Sequence, residues 1–289
     1  MSFAAEAGKD IHVKGEIMSL NAADLQYLCV LVRQRSAIVL DGKAYLFEAR
    51  LGSLARREGF SSLDALVTHL RAGAADGLHE KVVESMTINE TSFFRDLHPF
   101  EHLRTEVLPE LMRARAAERR LNIWCAACST GQEPYSVAML IREHFPALTG
   151  WAVRILAADL SPDSLERARQ GRYSQMEINR GLPARLLVKY FQKHGAEWRI
   201  KDEVRRMVEF RRANLIDPWP ALPPQDVILL RNVLIYFDEA TKKAILGKVR
   251  RLLRPDGRLF LGAAETTFNL DDGFERVQAG RTACYRPAQ

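Results

Sequence analysis

Four short stretches hold the side chains best suited to chemistry. Residues 88–96 read INETSFFRD, 127–134 ACSTGQEP, 159–163 DLSPD and 230–238 LRNVLIYFD. In the first, Asn89, Thr91 and Arg95 surround Phe93 and Phe94, too aromatic for a plain loop and too polar for a core helix. In the second, Ala127, Cys128, Ser129 and Gly131 are small, so a ligand can approach the backbone closely. Only Gly131 is glycine, so this is not a GxGxxG dinucleotide loop. Glu133 places negative charge at the start of the following helix, where it repels phosphate and can accept hydrogen bonds from an ammonium group. Asp159, twenty-eight residues past Gly131, sits where an acidic side chain commonly holds both hydroxyls of a ribose. Plainer readings stand beside these: Asp159 as a helix cap, Glu133 as a first-turn carboxylate favoured by the helix dipole.

The elements that must position these residues follow from periodicity. LNIWCAAC (121–128), WAVRILAAD (151–159), RMVEFRRANL (206–215), QDVILLRNV (225–233) and RLFLGAAE (258–265) read as strands. Helices are expected over 134–144, 161–170 and 239–254, the last stopped by RPDG. This alternation predicts an α/β fold with a mainly parallel, Rossmann-like sheet. Ligands of such sheets bind beyond the carboxyl ends of the strands. Asn214 and Leu215, then Asn232 and Val233, fall at two further strand ends, where Asn can hydrogen-bond an adenine or an amino-acid tail and Leu or Val can cover a ring. A phosphate-free nucleoside carrying an amino-acid tail satisfies the whole set, and S-adenosylmethionine (SAM) is such a molecule. The last residues, FERVQAGRTACYRP, read as two antiparallel strands around Ala279–Gly280.

Ahead of the sheet, residues 18–86 read as an all-helical domain. Asn21 can cap a first helix carrying Leu25, Leu28, Cys29 and Val32. Leu46, Leu51, Leu54 and Ala55 face inward from a second. Ser61 or Ser62 can cap a third, and a fourth covers about 78–86. A bridge and linker helix span 87–120, and the sheet domain spans 121–289. Residues 172–205 are too long for an ordinary connection, and GAEWRIKDEV suggests a strand pair, so a small β-subdomain is inserted there.

Composition narrows the class. The chain has 289 residues, 47% hydrophobic and 27% charged, with net charge +6. That mild positive balance leans toward an acidic partner without requiring nucleic acid. No apolar run is long enough to span a membrane, and the first seventeen residues lack the apolar centre of a signal peptide, so a cytoplasmic location is expected. CAAC at 125–128 has no second pair or histidine cluster, so no metal or redox role is expected.

TINETSFFRD, ACSTGQEPYS, AADLSPDSLERA and LLRNVLIYFD, in this order, together with QRSAIVLDGKAYLFEARL and GAAETTFNL, resemble the CheR-type chemotaxis receptor methyltransferases over about residues 20–287. The resemblance implies a SAM-dependent methyltransferase domain with an N-terminal helical domain and an inserted β-subdomain, acting on glutamate side chains of chemoreceptor cytoplasmic helices. It implies SAM contacts at Asn89, Thr91, Arg95, Glu133, Asp159, Asn214, Leu215, Asn232 and Val233. Arg95 and Tyr236 are the catalytic candidates. The alternatives are a SAM enzyme of another substrate, or a non-catalytic sensor of SAM or its demethylated product. A nucleic-acid enzyme is disfavoured because RNVLIYF is not an Asn/Asp-Pro-Pro-aromatic motif. Some family members carry a longer, glycine-rich connection in the β-subdomain and dock a receptor C-terminal peptide there. KYFQKHGAEWRI is compact, so no peptide tether is expected. Gln132 stands where an acidic pair with Glu133 is common. A chemoreceptor cytoplasmic domain is the expected partner, met by a basic face of Arg33, Arg35, Lys43, Arg50, Arg56 and Arg57 against Asp41 and Glu48, and a monomer is expected.

Overall fold

The computed structural model describes residues 20–40, 42–73 and 77–288. Asp41, the first residues of the expected helical domain and the stretch read for a signal peptide lie outside the described residues. The helical part opens with α1 (Ala22–Ser36), capped by the Asn21 side chain accepting from the Asp24 N–H. Next come α2 (Ala44–Arg57), α3 (Leu63–Arg71), capped by Ser62, and α4 (Leu78–Ser85). Their apolar faces meet through Leu28, Val32, Phe47, Leu51, Leu54, Leu66 and Val82, all essentially inaccessible. Leu46 is half-buried, at the margin of this core.

The bridge leads into α5 (His98–His102), a π-helical turn (Leu103–Val107) and α6 (Leu108–Ala114). The sheet domain then runs β1 (Arg120–Cys125), α7 (Gln132–His144), β2 (Ala152–Asp159) and α8 (Pro162–Gln170). The inserted segment holds β3 (Arg172–Ser174), α9 (Gln175–Asn179), α10 (Ala184–Tyr190), β4 (Phe191–His194), β5 (Glu197–Ile200) and α11 (Asp202–Arg205). β6 (Val208–Arg212), β7 (Gln225–Leu230), α12 (Glu239–Leu252), β8 (Leu253–Leu261), β9 (Phe274–Ala279) and β10 (Thr282–Pro287) complete the chain. The main sheet has order β6-β2-β1-β7-β8-β10-β9. It is parallel from β6 to β8 and antiparallel at the terminal hairpin. The insert forms its own antiparallel sheet, β3-β5-β4, with three strands where a pair was expected. Phe93 of the bridge anchors there, 5.0 Å from the Tyr173 ring and 5.7 Å from Phe191. The bridge passes so close to Gly181 that a Cβ at that residue would collide with the Phe93 carbonyl.

Several expected boundaries shift. β6 is five residues rather than ten, and β7 ends at Leu230, which frees 231–233 as a loop ahead of a 3-10 turn at Leu234–Tyr236. RPDG does not stop a helix with a turn: α12 ends at Leu252, and Arg254–Gly257 lie inside β8 across a register shift opposite β7. A buried ion network explains this. Arg115, at the end of α6, donates to Asp226 at 2.8 Å and to Asp256 of the RPDG segment, and Asp226 also accepts the Asn122 N–H at 2.7 Å. A bulge accommodates the proline, and the ion network fixes the segment at the end of the sheet away from the strand carboxyl ends.

Candidate active site

The carboxyl ends of β1, β2, β6 and β7 converge on one cavity of about 870 Å³, counting its open mouth. All ten residues singled out in the sequence line it: Asn89, Thr91, Arg95, Glu133, Asp159, Asn214, Leu215, Asn232, Val233 and Tyr236. Ser36 and Ile38 of the helical part and Thr87 at the start of the bridge also line it, a contribution that spacing along the sheet strands could not reveal.

Asp159 is held by the backbone. Its two oxygens accept the Ser129 N–H at 2.7 Å and the Ser161 N–H at 3.0 Å. Burial pushes its carboxyl above the ordinary range, against the pull of those donors. Ser161, not Asp159, caps α8. Ser129 sits at φ +48° and donates its hydroxyl to the Asn89 carbonyl at 2.8 Å, which pins the bridge over the turn after β1. Gly131 does not line the cavity. Its φ is +95°, and a Cβ there would face Ala168, Tyr135 and Tyr173 at 3.0–3.2 Å. Its glycine serves turn geometry and packing, not the close ligand approach expected of it.

Glu133 is buried, and burial raises its carboxyl against the attraction of Arg231. Arg231 is the residue that sequence reasoning missed. Its guanidinium donates to Glu133 at 3.0 Å, to the Arg95 carbonyl at 2.8 Å and to Asp96 at 2.8 Å. It ties the first turn of α7 to the bridge. An arginine closing the apolar strand ILL was the available signal. Glu265 was missed as well. It accepts the N–H groups of Asn232, Val233, Leu234 and Gly262 at 2.6–2.8 Å and so shapes the loop after β7. Gly262 is required here, since a Cβ would lie 2.6–2.8 Å from Glu265 and Asn232.

Arg95 donates to the Glu90 carbonyl at 3.0 Å, and the Glu90 carboxylate is held by Arg180 of the insert. The Asn214 amide donates to the Arg35 carbonyl at 2.8 Å, so part of its capacity serves contact with α1. The Tyr236 hydroxyl makes no hydrogen bond among the described residues, and burial pushes its phenol up. Cys125 and Cys128 are buried free thiols, both pushed up by burial. The basic face is partly neutralised: Arg33 pairs with Asp238 at 2.8 Å and Arg57 lies 3.8 Å from Glu58. Arg50 is turned inward to the Ser85 and Thr87 carbonyls at 3.3 and 2.8 Å. Arg35, Arg56 and Arg57 are exposed.

A parallel sheet with an acidic residue after β2, a carboxylate in the turn after β1 and no phosphate-binding glycine loop defines a SAM-binding, Rossmann-like methyltransferase. Residues 89–283 match the family described as CheR methyltransferase, SAM binding domain, and residues 23–87 match CheR methyltransferase, all-alpha domain. The chain belongs to the CheR methyltransferase family. It is 42% identical to chemotaxis protein methyltransferase 1 of Pseudomonas aeruginosa over 274 residues, covering 93% of this chain and 99% of the relative. It is 40% identical to chemotaxis protein methyltransferase Cher2 of Pseudomonas putida, with the same coverage. Chemotaxis protein methyltransferase 1 of Vibrio cholerae is 37% identical, across 93% of this chain and 98% of its own. The cofactor is SAM, and the donor set fits it: the cavity is lined by the carboxylates of Glu133 and Asp159 and by Asn232, whose buried Oδ1 has no hydrogen-bond partner among the described residues. No described helix is long and apolar enough to cross a membrane.

Proposed function

We propose that this chain transfers a methyl group from SAM to glutamate carboxylates on the cytoplasmic helices of chemoreceptors, tuning chemotaxis signalling. The observation that carries the reading is the convergence of the ten sequence-derived residues on one cavity. It is supported by relatives named chemotaxis protein methyltransferases that align along nearly their whole length. Asp159 is assigned to the ribose hydroxyls, and Glu133 to the ammonium of the amino-acid tail. Asn214, Leu215, Asn232 and Val233 are assigned to the adenine and tail, and Asn89, Thr91 and Arg95 to the bridge side.

Bound SAM supplies an electrophilic methyl on a sulfonium. A glutamate side chain has a reference pKa of about 4.3 and is already ionised near neutrality, so the protein needs no general base. Its task is to align the carboxylate and exclude water, because water stabilises the separated charges that the reaction consumes. Arg95 spends one donor on the Glu90 carbonyl, and its remaining planar fork suits a carboxylate. Tyr236 offers an unpaired hydroxyl beside it. Asn232 is held at φ +57° by the four-way Glu265 clamp, so the wall next to Tyr236 is preset before substrate arrives.

The test is incubation of the protein with methyl-labelled SAM and chemoreceptor-rich membranes. Label should enter the receptor band and leave as methanol in mild alkali, the signature of a carboxyl ester. Alkali-stable label would point to nitrogen methylation. An unlabelled receptor with SAM still bound would turn the reading toward another substrate or a sensor.

A further inference from the structure

A second cleft lies against the first. It is lined by Asp96, His98, Pro99, Gly262, Glu265, Arg276, Arg281 and Tyr285, with a volume of about 650 Å³ counting its mouth. The two cavities share a wall built from consecutive residues. Arg95 lines the cofactor cavity while Asp96 and His98 line the cleft. Asn232 and Val233 line the cavity, while Glu265, which holds their N–H groups, lines the cleft. Arg276 and Arg281 belong to β9 and the turn after it, three strand positions from β7, whose end opens on the cofactor cavity, so at about 4.8 Å per strand the two sites lie on the order of 14 Å apart. Leu97 stands on the dividing bridge, 52% exposed and at φ +42°.

The charge in the cleft is uncommitted on one sign only. Asp96 is engaged by Arg231 at 2.8 Å, and Glu265 is saturated by four backbone N–H groups. Arg276 of β9 and Arg281 of the β9–β10 turn are exposed, and among the described residues neither has a carboxylate partner. Two exposed guanidinium groups that share this cleft with the buried residues Tyr285 and Pro99 fit a carboxylate on an aliphatic stem.

We propose that Arg276 and Arg281 form a second docking point for the methyl-accepting protein, holding a carboxylate of the same acidic helix whose other carboxylate is methylated. This rests on the reading given under Proposed function. Carboxylates two or three turns apart on one face of a helix are about 11–16 Å apart, at 1.5 Å per residue. Such a helix, laid across Leu97, reaches both sites. The cleft therefore selects acceptor glutamates that have an acidic residue two or three turns away on the same face.

The experiment measures initial methylation rates against the concentration of chemoreceptor-bearing membranes for the wild type and for Arg276→Ala/Arg281→Ala. Both side chains are exposed, so the variant should keep its thermal midpoint and its calorimetric affinity for SAM. The receptor KM should rise at least about threefold, more at low salt than at high, as expected for two exposed charge pairs. Turnover at saturation should change less than about twofold, and Arg276→Lys/Arg281→Lys should restore part of the loss. An unchanged receptor KM alongside an active wild type overturns the docking point. A wild type that binds SAM but methylates no receptor overturns the functional reading, and the docking point with it.

Discussion

Each Asp159 oxygen accepts one backbone N–H and keeps a further lone pair, the capacity that the proposed ribose contact uses. Asp159→Ala should weaken SAM binding by about 1.4 kcal/mol or more, tenfold, through lost hydrogen bonds to the ribose. Wild-type affinity in the mutant by calorimetry would remove Asp159 from the site. Glu133 makes a pH prediction. Burial sets its carboxyl above the ordinary range, so it takes up a proton at a higher pH than a free glutamate does. The neutral acid cannot hold an ammonium by charge. SAM affinity should therefore fall on acidification, starting above the usual carboxylate range, and recover as pH rises. Asp159 is raised too, but 5′-methylthioadenosine, which keeps the ribose and lacks the amino-acid tail, separates the two. Its affinity should fall less over the same interval, and parallel titrations of the two ligands would exonerate Glu133. Both carboxylates were legible in the sequence because Asp159 ends a strand and Glu133 opens the helix after one. Arg231 and Glu265 were not, because their partners lie up to 136 and 33 residues away and only folding brings them together.

The contact between α4 and α8 couples the helical part to the cofactor site. Glu84 accepts the Ser161 hydroxyl at 2.6 Å and the Asp163 N–H at 3.0 Å. Ser161 in turn supplies a backbone N–H to Asp159. Arg212 pairs with Glu80 at 3.0 Å along the same seam. Glu84→Ala should loosen the Asp159 loop and weaken SAM binding several-fold, about 1 kcal/mol for a lost charged hydrogen bond. Glu84→Gln keeps an acceptor and should retain most of the affinity, and equal losses in the two variants would mean that charge, not the hydrogen bond, does the holding. At this scale the alternating strands and helices, the Asn21 and Ser62 caps and the terminal hairpin could all be read from local pattern. The boundary between α12 and β8 could not. Pro255 and Gly257 signal a stop, but the pull of Arg115 on Asp256 draws that segment into the strand, and no local rule contains a residue 141 positions away.

The whole molecule offers an acidic partner a smaller cationic face than the sequence count implied, because Arg33 and Arg50 are engaged within the protein. Arg56 and Arg57 remain exposed at the end of α2. Arg56→Glu/Arg57→Glu should raise the receptor KM by roughly 1 kcal/mol per charge at low salt and less at high salt, with SAM affinity untouched. Unchanged methylation kinetics would reduce those arginines to solvated surface. The short turn between β4 and β5 leads to a companion expectation: a receptor lacking its C-terminal tail should be methylated about as fast as the intact one, and a large loss of rate would show tethering by the insert. The lining of the cofactor cavity has a further consequence. Ser36 and Ile38 belong to the helical part, and the remaining lining belongs to the bridge and sheet domain, so a ligand filling the cavity touches both. By mass action, a ligand that binds only the assembled form adds RT ln(1 + [L]/Kd), about 2.7 kcal/mol at a hundredfold excess over Kd. The metabolite supply of the cell then enters the folding equilibrium of this protein. Removal of SAM and its demethylated product should therefore lower the thermal midpoint of the protein, as a thermal melt with and without ligand would read.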